Sequence, residues 1–567
     1  MSRHPSSLQS FREIREEGLS YADKTEHVHR LLMDGRGFRL TRPRAFGKTL
    51  LLSTLRALFR GRGDLFRGLY LGGAGWDFAR RPVISLDFSR LAGSAGAAGE
   101  DLCWEMKRLA LKEGLQVKGA SPGPMVSWLV DALYAKHQRR PAVLVDNVSR
   151  PLERHLGDPA TMRETSRALE GFWEALASQG PRLRFVMALS GYAFSGMTGP
   201  EGFLKDASVG PRQAACCGFT SEEMARVFGE PLAEAAELRR ADGALPAGAG
   251  PDELRSEIFR WYGGYSWDAE TRVACPAAVL SFLDTSENSW HFLEERAPDC
   301  IPPELFRVAA GSVPPGPDLT YTRGMLQTLD PAHPALGPLM FQAGALTLSG
   351  RRERDGVPEY SLGFPDRDAE GGFRMIALSA LSGLDHAALR AHIRRFRREA
   401  GEGRAEGAAA ALSGLLADSW PSLRERPDRR GALYGLLLRL AGFEGPPAGR
   451  LEAGGGEPGA AAGWAAGALR VSGNRRVQVI LRHVHGADGA GGGAARRLLQ
   501  EAADAALREA REGEAASEER PVPGQAAPSW EARRLFVFSA GAWETVGCSA
   551  DSGHPLVFRP LSRAEDG

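Results

Sequence analysis

The tightest constraint on this chain is a short segment near its start. The run Phe38-Arg39-Leu40-Thr41 leads into Arg42-Pro43-Arg44-Ala45-Phe46-Gly47-Lys48-Thr49, and that into the helical pattern Leu50-Leu51-Leu52-x-x-Leu55-x-x-Leu58-Phe59. A strand, a tight loop and a helix in this order have a specific chemical use. Backbone N–H groups of the loop and of the first helical turn form an anion nest, Lys48 brings a point charge to β- and γ-phosphates, and the Thr49 hydroxyl completes a Mg²⁺ shell. The full pattern G-x-x-x-x-G-K-[ST] asks for glycine at position 42, where this chain has Arg42. On these residues alone a plain strand–turn–helix with an exposed lysine therefore stays open.

Further apolar runs, Val83–Phe88, Ala142–Val145 and Phe185–Ser190, alternate with helical patterns. That alternation predicts an α/β fold with a parallel sheet covered on both faces. At 567 residues the chain is long enough for roughly two to four domains. The reading places a P-loop domain over 1–214 and a helical lid over 215–300, with Thr220 as N-cap and Glu223 closing a capping box. A small-residue break, Ala241–Pro251, interrupts the lid. A small mixed α/β or winged-helix-like region follows over 301–375. Over 376–567, helical patterns (Ala387–Ala400, Arg430–Leu440, and one near Ala494–Glu512) flank a β-rich stretch, Ala468–Val484, and Arg534–Phe538 reads as the last strand. Gly401–Ala411, Gly454–Ala462, Gly486–Gly493 and Gly513–Pro528 read as loops.

The formal net charge of +1 gives no overall pull toward long nucleic acid, and Arg394-Arg395-Phe396-Arg397-Arg398 reads as a solvated helix face. Six cysteines without a C-x-x-C pair argue against a zinc site or a disulfide framework. With no apolar leader and no run of membrane-spanning length, the expectation is a cytoplasmic protein with no membrane partner.

Several motifs recur in order along the first two thirds: Tyr21-x-Asp23-Lys24-Thr25, Thr41-Arg42-Pro43-Arg44-x-Phe46-Gly47-Lys48-Thr49 and Pro82-Val83-Ile84-x-Leu86-Asp87-Phe88. Gly218-Phe219-Thr220-x-Glu222-Glu223, Trp261-Tyr262-x-Gly264-Tyr265, Phe341-Gln342-x-Gly344-x-Leu346-Thr347 and Tyr360-x-Leu362-Gly363-Phe364-Pro365 follow. From about residue 8 to about 375 the chain resembles the bacterial AAA-ATPase-like family, whose members replace the first P-loop glycine by this Arg-Pro-Arg loop and commonly end in a PD-(D/E)XK nuclease-like domain. The resemblance implies ATP held by Arg42, Arg44, Phe46, Gly47, Lys48 and Thr49, with Mg²⁺ on Thr49 and Asp146. For Arg42 and Arg44 two readings stay open: a phosphate clamp, or a pairing with an acid at the sheet edge.

The departures from the family pattern bear on activity. The glutamate that polarises the attacking water is Asn147 here, and a second acid two positions on is Ser149. The Thr-Gly pair of the next strand is Ser190-Gly191, and the basic segment before Phe194-Ser195-Gly196 is missing. Nucleotide binding with weak or lost hydrolysis is the expectation, with Asp87 as the acid that would compensate if turnover survives. In the nuclease-like region, which also offers the helix Tyr434–Leu438 and an acid at Glu452, the family's Asp, Glu and Lys positions fall on Ala468, Leu481 and His483. His483 and His485 share a strand face without a third ligand. Strands without a carboxylate cannot build a metal-dependent phosphodiesterase. This domain is expected to serve as a scaffold for a DNA or protein partner, and an active nucleotide-regulated nuclease is the least favoured alternative.

Overall fold

The computed structural model describes residues 10–91, 95–156, 158–289, 319–331 and 334–401, short pieces beside them, and four strands between 461 and 550. The chain divides into two compact units, and the change of unit falls between Phe373 and Arg374.

The first unit opens with α1 (Phe11–Glu16) and α2 (Thr25–Asp34), followed by β1 (Gly37–Thr41) and α3 (Lys48–Phe59). The short α4 (Tyr70–Gly73), β2 (Val83–Asp87), α5 (Ala95–Lys112) and α6 (Pro122–His137) come next. β3 (Ala142–Asp146), α7 (Arg150–Glu153), α8 (Pro159–Ser178), β4 (Phe185–Ser190) and the two-residue β5 (Lys205–Asp206) complete a parallel sheet of order β2-β3-β4-β1-β5. The burial pattern follows that order. β3 and β4 lie inside the sheet and are buried at every position, hence their unbroken apolar sequences. β2 is an edge strand and alternates buried with half-buried residues. Helix α3 lies against β2, β3 and β4, while α5, α6 and α8 pack on one another.

Past the sheet come α9 (Ser221–Val227), α10 (Gly229–Ala241), α11 (Pro251–Tyr262) and α12 (Pro276–Thr285). The Thr220–Glu223 capping box forms, with Glu223 N–H donating to Thr220 Oγ1 at 3.2 Å and Thr220 N–H to Glu223 Oε2 at 2.8 Å. The gap between α10 and α11 coincides with the small-residue break. A three-stranded antiparallel sheet then joins β6 (Thr320–Thr322), β7 (Thr347–Arg354) and β8 (Val357–Gly363) in the order β6-β8-β7, beside the helices Arg323–Gln327 and Leu336–Ala343.

The second unit contains the helix His386–Gly401 and a four-stranded sheet of order β12-β11-β10-β9. β9 (Ala461–Val471) and β10 (Arg475–Val484) are antiparallel, β11 (Arg533–Ala540) runs parallel to β10, and β12 (Trp543–Ala550) is antiparallel to β11. Two expectations change here. The strand at Arg534–Phe538 is not the last, because β12 follows it, and β9 begins at Ala461, inside the end of a segment expected to be loop. The expected features at Arg430–Leu440 (which includes Tyr434–Leu438), Glu452, His485, Gly486–Gly493, Ala494–Glu512 and Gly513–Pro528 lie outside the described residues. Among the described residues, no helix is long and apolar enough to cross a membrane.

Candidate functional site

The loop between β1 and α3 lies at the carboxyl edge of the parallel sheet, where ligands of open α/β sheets collect. Gly47 has φ 83°, and a Cβ there would meet nothing within 4 Å, so glycine is needed for backbone conformation and not for space. Ala45 also takes a left-handed conformation, with φ 68°. Lys48 is 8% exposed and its Nζ donates to the Arg42 and Pro43 carbonyls, each at 2.8 Å. The reading of an exposed lysine on an ordinary turn does not describe this arrangement: the loop is wrapped around the ammonium.

Arg42 faces the other way. It is fully buried, and its guanidinium donates to the carbonyls of Thr41 (2.9 Å), Ser208 (2.7 Å) and Gln213 (2.8 Å) while stacking 4.0 Å from the Trp267 ring centroid. Neither expectation for this residue, a phosphate clamp or an acid pair at the sheet edge, matches that geometry. Five donors on a planar fork can saturate several main-chain carbonyls at once, and here they join the root of the loop to the chain entering the lid. Phe46 is likewise an anchor, packing edge-on against Tyr265 (4.7 Å) and Trp267 (5.4 Å). Arg44, Gly47, Lys48 and Thr49 line a pocket of about 480 Å³, within the size range of small-molecule sites.

At the neighbouring strand ends, Thr49 Oγ1 donates to Asp146 Oδ2 at 2.7 Å, and Asn147 N–H donates to Asp146 Oδ1 at 3.0 Å. Burial pushes the Asp146 carboxyl up and Asp87 adds to this, while the Thr49 hydroxyl and the Lys48 charge oppose it. A hydroxyl and a carboxylate in contact are hard oxygen donors that fit Mg²⁺ shared with a phosphate. Asp87, at the end of β2, is the register partner of Asp146. Its Oδ1 accepts from Asn147 Nδ2 at 2.9 Å and from Ser89 N–H at 3.0 Å. Asn147 has φ 55°, a conformation that asparagine tolerates better than most residues.

Ser149 is fully buried and joins the ends of β3 and β4. Its Oγ accepts from the N–H groups of Gly191 and Tyr192, each at 3.1 Å, and donates to Glu153 one helical turn on. A Cβ at Gly191 would lie 3.0 Å from Glu153 Oε1, so this carboxylate is pressed against the strand end. The Ser190 hydroxyl lies 3.1 Å from Thr41 Oγ1, between β4 and β1.

The family described as a predicted AAA-ATPase matches residues 5–193. Over 380 residues the chain is 30% identical to an uncharacterized protein in the vnfD 5′ region of Azotobacter chroococcum mcd 1, covering 65% of this chain and 68% of that relative. Over residues 5–193 this chain is AAA-ATPase-like. No solved structure matches it.

The AAA-ATPase-like family suggests nucleotide binding, and the pocket carries residues that the sequence reading did not single out as site groups. Lys24 Nζ forms a 2.6 Å ion pair with Glu223, with side chains 11% and 13% exposed, joining the N-terminal wall to the lid wall. Arg56 lines the pocket and donates to Ser85 Oγ at 2.5 Å; burial lowers its pKa, and the charges of Asp146 and Asp87 raise it. Cys216 and Cys217 line the lid wall, and a hydrogen bond from Cys217 together with the nearby charges of Arg42 and Lys24 lowers the Cys216 thiol pKa. Local sequence gives one signal among these, the Lys24 motif; the other contacts join distant segments.

In the second unit Ala468 stands opposite Gln478, Leu481 lies between Ala465 and Val537, and His483 is paired with Ser539. β9, β10 and β11 carry no carboxylate, and the acid of this sheet, Glu544 on β12, is the register partner of Ser539.

Proposed function

We propose that this AAA-ATPase-like chain binds ATP with Mg²⁺ at the P-loop, hydrolyses it slowly or not at all, and uses the nucleotide to control a scaffold whose C-terminal domain is nuclease-like without nuclease chemistry. Lys48, Thr49, Gly47 and Arg44 hold the phosphates, and Thr49 and Asp146 hold the metal. The metal supplies charge neutralisation on the phosphate oxygens. The observation that carries the reading is Asn147: it stands where the family's water-polarising acid would be, and its amide is spent on Asp87. An amide cannot take a proton from water, so the groups that bind are kept and the group that activates water is lost. Arg42 and Phe46 act in this reading by holding the loop rigid. The test is equilibrium binding of a fluorescent ATP analogue with Mg²⁺ to the full chain and to Lys48→Ala, with turnover measured on the same samples. Binding that depends on Lys48 without turnover supports the reading, and brisk turnover sinks it.

The Asn147–Asp87 contact also favours a second reading, in which Asp87 is the acid and Asn147 orients it. Turnover that persists in wild type and is abolished in Asp87→Asn would select that reading.

A further inference from the structure

At the edge of the parallel sheet remote from the P-loop, each of four adjacent strands is preceded by arginine: Arg81 before β2, Arg140 before β3, Arg184 before β4 and Arg36 before β1. Backbone hydrogen bonds bring these starts level. Ala142 N–H donates to Pro82 O at 3.0 Å, Arg184 N–H to Pro141 O at 2.8 Å, and Val186 N–H to Arg36 O at 2.7 Å. Neighbouring strands lie about 4.8 Å apart, so the four side chains leave one edge as a row roughly 14 Å long.

Arg36 and Arg140 are exposed, and Arg81 and Arg184 are half-buried. Among the described residues none of the four guanidiniums has a hydrogen-bond or ion-pair partner. Burial depresses the Arg184 pKa, and the charges of Arg81, Arg36 and Arg140 depress it further. Of the carboxylates in the surrounding segments, Asp131 pairs with Arg182 and Asp34 with Arg212, while Asp77 accepts from the Ala79 N–H and pairs with none of the four arginines. In a chain with net charge +1, this is local positive charge that folding leaves uncompensated.

Aromatic rings adjoin the row. The Arg184 guanidinium lies 5.8 Å from the Trp76 ring centroid. Trp76 meets His29 edge-on at 6.0 Å, and His29 meets Tyr70 at 5.9 Å. Tyr70 is 47% exposed. An acidic protein would need the cations alone. Cations flanked by an exposed tyrosine and a half-buried tryptophan suit a strand whose phosphates follow the charges while its unstacked bases lie on the rings.

We propose that this amino edge of the sheet binds single-stranded nucleic acid, with Arg81, Arg140, Arg184 and Arg36 on the phosphates and Tyr70 and Trp76 as stacking platforms.

The test uses the full chain and fluorescein-labelled oligo(dT), followed by fluorescence anisotropy across a salt series. Binding should weaken steeply with salt. Changing the four arginines together to glutamine should lower the slope of log K against log salt by about 3, because each single-strand phosphate contact contributes about 0.7. Tyr70→Ala and Trp76→Ala should each weaken binding about tenfold. ATP-analogue binding and the melting temperature of each variant check that the fold persists, and they separate this proposal from the P-loop reading. No anisotropy change at low salt, or binding indifferent to the arginines, would overturn it. So would arginine-dependent binding that the aromatic variants leave intact, which would mark the row as a surface for acidic protein or polyphosphate.

Discussion

The two edges of the parallel sheet treat charge in opposite ways. At the carboxyl edge the major charges are enclosed and supplied with partners: Lys48 by two carbonyls, Arg42 by three carbonyls and an indole, Lys24 by Glu223, and Asp146 by Thr49. At the amino edge four guanidiniums share a row without acids. Burial accounts for the contrast. A charge removed from water must be matched by its neighbours or the fold loses several kcal/mol, whereas a charge at a wet rim costs little and remains available to a ligand. Compensation therefore lets a buried charge keep its place, as with Arg42, or stand ready for a ligand, as proposed for Lys48 and Asp146, whereas charges left without acids can meet a partner directly.

That contrast can be broken most sharply at Lys48. Lys48→Ala should weaken ATP-analogue binding by about 100-fold or more, the scale of about 3 kcal/mol for charge-assisted bonds to phosphate, and leave oligo(dT) anisotropy unchanged. A parallel loss of both would mean the two edges are not independent. Arg42→Ala should come next, lowering unfolding free energy in guanidinium titrations by about 3–5 kcal/mol because three buried carbonyls lose their donors. A change below about 1 kcal/mol would show that water replaces the guanidinium. Glu223→Gln leaves Lys24 buried opposite a neutral amide, and should cost about 2–3 kcal/mol in the same titration.

A smaller effect is expected at Asp268. Burial raises its carboxyl pKa, but hydrogen bonds from the Thr271 hydroxyl, the Glu270 and Thr271 N–H groups and the Ser266 hydroxyl outweigh burial and lower it overall. A depressed folded pKa contributes stability that is complete above the unfolded carboxylate value of about 3.9 and is lost as pH falls through the folded value. Asp268→Asn should therefore destabilise by about 1–2 kcal/mol at neutral pH, and the gap from wild type should shrink on acidification below about pH 4. A gap that widens there would reverse the sign. The least effect belongs to the amino edge: Arg140→Gln should raise stability by a few tenths of a kcal/mol at low salt, a gain erased at about 1 M salt, where the Debye length is about 3 Å.

Much of this was legible in the linear chain, for physical reasons. Strands buried on both faces must be apolar throughout, so β3 and β4 announce themselves as Ala142–Val145 and Phe185–Ser190. The loop at 42–49 is legible because a left-handed glycine before a helix leaves a strong local mark. Side-chain direction leaves no such mark. Arg42 sits inside a motif that suggests phosphate, yet two of its three carbonyl partners are 166 and 171 residues away, and nothing local tells whether a guanidinium turns outward or in. Glu153, four residues past Ser149, went unread because its value depends on the approach of Gly191 from another strand. β12 escaped for a different reason: Trp543-Glu-Thr-Val-Gly-Cys-Ser-Ala mixes small and polar residues and lacks a clean period of two.

The Arg42 anchor also has a kinetic consequence. A phosphate loop that orders only around its ligand spends part of each encounter searching for shape. This loop is already fastened at its root by a cation turned inward and at its tip by Phe46 among the aromatic rings. Its ordering is completed when the chain folds. Nucleotide capture should then run near the rate of diffusive docking with a shallow temperature dependence, and differences in affinity between ligands should appear almost wholly in how long each one stays.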